Sequence, residues 1–332
     1  MVRPICREFE GAQTDSDLEI KVVLKGVHDL KSARGDMKKD EQGRFYDTGY
    51  SAILPKADEP LHINFDERVL RKGIVGKIAT FWNWSYLTPI ETVAKNIIYD
   101  ILEPVAHRIL LEEKLGFIHG SSVAKGERSV LFTGEGGIGK TAMCLAGVSR
   151  GYEYMNDDLS LVDSLGHCYH HPKKLQVYGY NIKYHPDLKK RLFLGRGMLD
   201  RMQWQMRYLI NGPSNVRRRT APKELFEGSI RHSARISKVV FLRRDNELDM
   251  RKMKKEDFIA SEMRIIHKEF SDYMNALKHV DEEGLSTVIN GTKKLYGELF
   301  DHVDCLEVTV PVNYDFKKLF TLLEEEHFKL TK

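Results

Sequence analysis

Gly134-Glu135-Gly136-Gly137-Ile138-Gly139-Lys140-Thr141 is the stretch that decides how this chain folds. It fulfils the pattern G-x-x-x-x-G-K-[ST] in full, and its flanks agree with it. The apolar run Ser129 to Thr133 leads in as a buried strand, and Ala142-Met143-Cys144-Leu145-Ala146 leads out as a helix. Glycines let the backbone wrap a phosphate with its N–H groups, and the start of the following helix adds the positive end of a peptide dipole. In such a loop Lys140 reaches the β- and γ-phosphates and the Thr141 hydroxyl ligates Mg²⁺. Residues Gly134 to Ala142 are therefore the expected nucleotide-binding segment, and ATP and Mg²⁺ the expected cofactors. A chance glycine turn ahead of a helix is the plain alternative; the Lys-Thr pair in this setting argues against it.

Working outward, the next signal is Asn156-Asp157-Asp158-Leu159-Ser160-Leu161-Val162, with Asp157 sixteen residues beyond Thr141. Two adjacent acids entering an apolar strand would be an exposed turn if they stood alone. After a phosphate-binding loop they suit two tasks, a carboxylate for the metal and a base for the attacking hydroxyl. Upstream, Gly116-Phe117-Ile118-His119-Gly120-Ser121-Ser122-Val123 places His119 at the end of an apolar run, where a buried structural histidine is the simple reading.

Taken together, these residues resemble the core of the HPr kinase/phosphoenolpyruvate carboxykinase-like P-loop kinases. The resemblance lies in the combination of His119, Gly134 to Thr141, Arg150-Gly151-Tyr152 and Asp157-Asp158, and covers Gly116 to Val162. It implies that Asp157 deprotonates the acceptor hydroxyl and that Asp158, with Thr141, assists the metal. It further implies that His119 orients Asp157 near the transferred phosphoryl group, with Lys140 as the catalytic cation. HPr kinases carry a downstream Glu-Ile-Arg-Gly segment; here Leu175-Gln176-Val177-Tyr178-Gly179 stands instead, without the acid. The implied activity is transfer of the γ-phosphoryl group to a hydroxyl. The acceptor is a serine of a protein or precursor peptide, or else a small molecule, and a nucleotide-dependent switch without transfer is the competitor from another class.

The rest of the chain reads as an α/β protein with an N-terminal β-rich region, residues 1–87, and a P-loop kinase domain, residues 88–332. Leu18 to Lys25, Arg44 to Leu54 and Leu61 to Phe65 are predicted strands, and Gly73 to Trp82 could add another, with charged Ser32 to Gly43 as an exposed loop. Thr88, Pro89 and Glu91 form a capping-box start for a linking helix over 88–115. Val93, Ile97, Ile101, Val105 and Ile109 recur on its apolar face, and Pro104 predicts a kink there or two abutting helices. Leu159 to Val162, Ser237 to Leu242 and Val303 to Val310 are further strands, and Phe316 to Glu326 is an amphipathic helix. The aromatic run Phe81 to Tyr86 reads as core or domain interface, with the lining of a substrate cleft as the alternative.

Between Lys189 and Arg219 nine basic residues face one acid, Asp200, and this 189–235 segment is the expected mobile, substrate-side element. Phosphoryl transfer needs cations on the equatorial oxygens, but the pattern does not choose among these arginines, and Arg231 and Arg235 are further candidates.

Composition narrows the class. The chain has 332 residues, with 42% hydrophobic and 10% aromatic residues, which is enough to build a core. Its 52 basic against 48 acidic residues are too balanced to argue for nucleic acid. No apolar run approaches the ~20 residues of a membrane helix. Cys6, Cys144, Cys168 and Cys305 lie far apart, a usage suited to a reducing cytoplasm rather than to zinc or disulfides. A cytoplasmic enzyme is the expectation, open to assembly as a homo-oligomer, with neither membrane nor nucleic acid as partner.

Overall fold

The computed structural model describes residues 20–25, 44–47, 50–53, 61–66 and 95–328, Pro186 apart. The capping box at Thr88, the aromatic run Phe81 to Tyr86, the Ser32 to Gly43 loop, the Gly73 to Trp82 strand, Cys6 and the 87/88 boundary lie outside the described residues. Contacts divide the chain into two compact units, Met1–Ala106 with Phe270–Ile289, and His107–Glu269 with Asn290–Lys332.

In the first unit, β1 (Ile20–Lys25), β2 (Arg44–Asp47), β3 (Tyr50–Ile53) and β4 (Leu61–Asp66) form one sheet in the order β1-β4-β3-β2. The expected single strand Arg44 to Leu54 is in fact the antiparallel pair β2 and β3, with Asp47 opposite Tyr50. Asp47-Thr48-Gly49 carries turn chemistry, which outweighs the β-favouring residues on either side.

Of the two outcomes expected at Pro104, two abutting helices are found, and they differ in type. Pro104 has no N–H, so one i→i−4 bond is missing. The preceding residues Ile98–Leu102 are π-helical and run directly into α1 (Glu103–Leu110). The extra residue per turn rotates the apolar face: Ile97, Ile98, Ile101 and Val105 are buried, whereas Ile109, expected at the same spacing, is 40% exposed.

The second unit is built on a nine-stranded mixed sheet. Its strands are β5 (Leu115–Ile118), β6 (Gly120–Lys125), β7 (Arg128–Gly134), β8 (Glu153–Asn156), β9 (Ser160–Asp163) and β10 (His167–Tyr169), then β13 (Ser233–Arg244), β14 (Asp249–Lys252) and β15 (Asp304–Val310). A separate pair, β11 (Leu175–Tyr178) and β12 (Arg217–Thr220), is antiparallel. β13 is the spine: it runs parallel to β7 on one side and to β15 on the other, and its first residues pair with β10. Among the described residues, the parallel ladders of the large sheet are confined to these three strands. The simple strand–helix alternation read from the sequence therefore holds only around β7.

Helix α2 (Lys140–Ser149) lies against β6, β7 and β8, with the C-terminal helix Phe316–Glu326 packed across it. Phe132 of β7 and Tyr152 meet Phe320 of that helix at ring separations of 6.0 and 5.2 Å, inside a fully buried aromatic cluster. This packing anchors both ends of the strand–loop–helix turn. Helices α3 (Met198–Asn211), α4 (Lys255–Glu269), α5 (Ser271–Val280) and α6 (Glu282–His302) follow in chain order, and the C-terminal helix is α7. The sequence reading named none of α4 to α6.

The basic segment folds into α3, β12 and short helical turns. Arg218 is only 7% exposed: it pairs with Asp200 at 2.8 Å and lies over the rings of Phe193 and Trp204. Arg207 is buried as well. Much of the positive charge counted there is thus structural. No helix of the described residues is long and apolar enough to cross a membrane.

Candidate active site

The loop between β7 and α2 is shaped by two close approaches. Gly134 has φ 128° and lies so near the Leu242 carbonyl of β13 that a Cβ would overlap it. Gly139, at φ 116°, begins α2 and presses against the Phe316 ring. Only glycine accepts that backbone without strain, and at Gly139 only glycine fits beside the ring.

Lys140 is buried and donates to the carbonyls of Gly134 at 2.7 Å and Glu135 at 2.9 Å. Burial lowers its ammonium to about 8, against the pull of the neighbouring acids. Ser121 of β6 donates to the Lys140 carbonyl at 2.8 Å, fixing the helix start to the sheet.

The acids arrive at the end of β8. Asn156 holds this strand end by donating to the Ser122 hydroxyl at 3.1 Å and the Tyr169 carbonyl at 2.9 Å. Asp157 follows and accepts the Thr141 hydroxyl at 2.9 Å. Asp158 takes a left-handed backbone, φ 75°, and accepts from Lys173 at 2.7 Å. The two neighbours thus serve different partners, and their protonation differs accordingly. Burial, reinforced by the charge of Asp158, pushes Asp157 up to about 6. Burial would raise Asp158 too, but the Lys173 ammonium holds it well below the usual carboxylate range.

His119 sits between β5 and β6, buried, with Nδ1 3.8 Å from Glu269 and 4.0 Å from Asp158. These are beyond hydrogen-bond length, and Nδ1 has no hydrogen-bond partner among the described residues. Burial and the nearby Lys140 lower the imidazole to about 3, so it is neutral at physiological pH.

A cleft of about 430 Å³ gathers these groups. Of the residues singled out from the sequence, His119, Gly136, Gly137, Gly139, Lys140, Thr141, Ala142, Asp157 and Asp158 line it. Gly134 and Ile138 are buried behind the loop, and Glu135 points outward to pair with Arg264 at 3.0 Å. The same cleft holds residues the sequence reading did not assign: Glu269 at the end of α4, Gln176 and Tyr178 of β11, Tyr180, Ser214 and Arg217 of β12. Lys173, behind Asp158, also went unassigned. Arg217 was one of nine cations with nothing in the pattern to distinguish it. Arg231, by contrast, pairs with Glu127, and neither it nor Arg235 lines the cleft.

Behind the loop, Glu262 of α4 is wholly buried, and burial pushes its carboxyl up to about 8. It enters folding as a neutral acid. Its stabilising contribution is complete below its ordinary value of 4.5 and is lost as pH rises through about 8. Glu262→Gln keeps the shape and the neutrality. Urea unfolding from pH 5 to 8 should therefore lose part of its pH slope in this variant; a slope equal to wild type would contradict a buried neutral Glu262.

The described residues thus define a mixed α/β protein with a glycine-rich strand–loop–helix turn opening on a cleft that carries Asp157, Asp158 and Glu269. No protein-family model and no curated protein matches the sequence. Among solved structures, the HPr(Ser) kinase/phosphatase from Coxiella burnetii aligns with 64% of this chain and 97% of its own, at 12% identity and a TM-score of 0.27. Likeness at that score carries no weight for function.

Proposed function

We propose that this protein is an ATP- and Mg²⁺-dependent kinase that transfers the γ-phosphoryl group to a hydroxyl, that of a serine in a protein or precursor peptide. The observation that carries this is the convergence of Lys140, Thr141, Asp157, Asp158 and His119 on one cleft. The loop amides and Lys140 would hold the phosphates. Asp157 has the protonation of a base poised near neutrality, and takes the proton as the acceptor oxygen bonds to phosphorus. The bond from phosphorus to the β–γ bridging oxygen breaks, and its electron pair leaves on ADP.

The oxygen donors Thr141 and Asp158 suit Mg²⁺, which takes one or two carboxylates and completes its shell with phosphate and water. When bound, the ion neutralises charge on the β- and γ-phosphates. Asp158, kept anionic by Lys173, supplies the carboxylate, and the Thr141–Asp157 hydrogen bond keeps the base beside the metal-side hydroxyl. His119 is neutral and stands near Asp158 and Glu269, 4.0 and 3.8 Å from its Nδ1, with no hydrogen bond to either acid and none to Asp157 among the described residues. The serine acceptor is favoured by the resemblance of Gly116 to Val162 to the HPr kinase-like core; a metabolite hydroxyl is the alternative.

The test uses γ-labelled ATP, Mg²⁺ and host lysate split into macromolecular and small-molecule fractions. Label in a protein or peptide band supports the serine reading, and label in the filtrate makes the protein a metabolite kinase. Label in neither, while ATP still binds, leaves a nucleotide switch. Turnover should climb about tenfold per pH unit below the Asp157 value of about 6 and level off above it. A flat profile from pH 5 to 8 would remove the base role from Asp157.

A further inference from the structure

We propose that Arg217 is the cation that meets the terminal phosphate of the bound nucleotide, an inference that rests on the cleft being the nucleotide site proposed above. Among the described residues, Arg217 is the only arginine that lines this cleft. It is delivered by β12 directly opposite Tyr178 of β11. One guanidinium nitrogen, Nη1, donates to Gln176 Oε1 at 3.0 Å and to the Tyr178 hydroxyl at 3.2 Å. The guanidinium lies 5.9 Å from the Tyr178 ring centroid, and Tyr178 stacks on Tyr180 at 5.4 Å with 15° between the planes. The side chain is thus held from one end by a rigid aromatic wall.

The other end is open. Among the described residues Nε and Nη2 of Arg217 make no hydrogen bond, and no carboxylate pairs with it. That free edge is the fork that binds two oxygens of one oxyanion. The neighbouring arginines are committed elsewhere: Arg218 to Asp200, Arg191 to the Leu225 carbonyl, Arg201 to the Phe193 carbonyl.

Two oxyanions could meet the fork, the terminal phosphate or an acidic group on the acceptor. The charges in the cleft favour the phosphate. Lys140 belongs to the loop and Lys173 is spent on Asp158, while Asp157, Asp158 and Glu269 share the cleft. An acidic acceptor would have to approach those carboxylates unaided, whereas the nucleotide arrives with a divalent ion that offsets them. Charge in the transfer spreads over three equatorial oxygens, so a second cation in the cleft complements Lys140.

Calorimetric titration with Mg-ATP and Mg-ADP separates the possibilities. Arg217→Ala should weaken ATP binding by about tenfold to a hundredfold. ADP binding, which lacks the contacted group, should stay within about twofold. Arg217→Lys keeps the charge but not the fork and should fall between; it carries the test if the alanine variant is poorly folded. ATP binding at wild-type strength in both variants, or equal weakening of ATP and ADP, overturns the inference. If wild type binds neither nucleotide, the nucleotide site itself is refuted, and the inference falls with it.

Discussion

Asp157→Asn should lower phosphoryl transfer by about 10² to 10⁴, the usual contribution of a positioned base, while ATP affinity stays near wild type. The amide is isosteric, and its oxygen can still accept the Thr141 hydroxyl that Asp157 accepts at 2.9 Å. Loss of folding would not explain such a result. Burial raises the Asp157 carboxyl from 3.8 to about 6, so its stabilising contribution is complete below 3.8 and gone once the pH passes about 6. At pH 7 wild type carries a buried, ionised and disfavoured carboxylate that the asparagine variant lacks. The variant should therefore be at least as stable as wild type in urea at that pH. Wild-type turnover by Asp157→Asn would move the base elsewhere, with Asp158 and Glu269 the remaining acids in the cleft.

Gly139→Ala should be among the most damaging single changes in the loop. The backbone at φ 116° is strained for any residue with a Cβ, and the added methyl would overlap the Phe316 ring at the start of α7. Strain and overpacking together suggest a destabilisation of about 2–4 kcal/mol. Nucleotide affinity should fall as well, because the first turn of α2 carries Lys140 and Thr141. Gly137→Ala is the internal control: its φ is 77°, but nothing lies within 4 Å of the added methyl, so strain acts alone and the loss should be smaller. Thermal melts in which the two variants coincide would show that contact with Phe316 does not matter.

The central turn and its acids were legible from residues in order along the chain. A buried strand, a glycine loop, Lys140-Thr141 and a helix are local chemistry, as is a doublet of acids at a strand end. His119, Lys140, Thr141, Asp157 and Asp158 all stand within a stretch of 47 residues, Gly116 to Val162, and the structure brings them to one cleft. The division of Arg44 to Leu54 into β2 and β3 was missed although Asp47-Thr48-Gly49 signalled it, and Pro104 signalled two abutting helices but not that the first would be π-helical. In both places one residue type with a backbone requirement prevailed over a longer periodic pattern.

What the tertiary structure alone decided is which distant side chains complete the site. Glu269 comes to 3.8 Å from His119 across 150 positions of sequence, and Lys173 comes to Asp158. A count of charge saw nine equivalent cations between Lys189 and Arg219. Folding buried Arg207 and Arg218 and turned Arg217 into the cleft. Local propensity sets a strand or a loop through backbone sterics and nearest neighbours, and so it can be read residue by residue. The facing of a side chain follows from which strand pairs with which, and in what register. The match of Tyr178 with Arg217 belongs to two segments 39 residues apart, and neither segment specifies it alone.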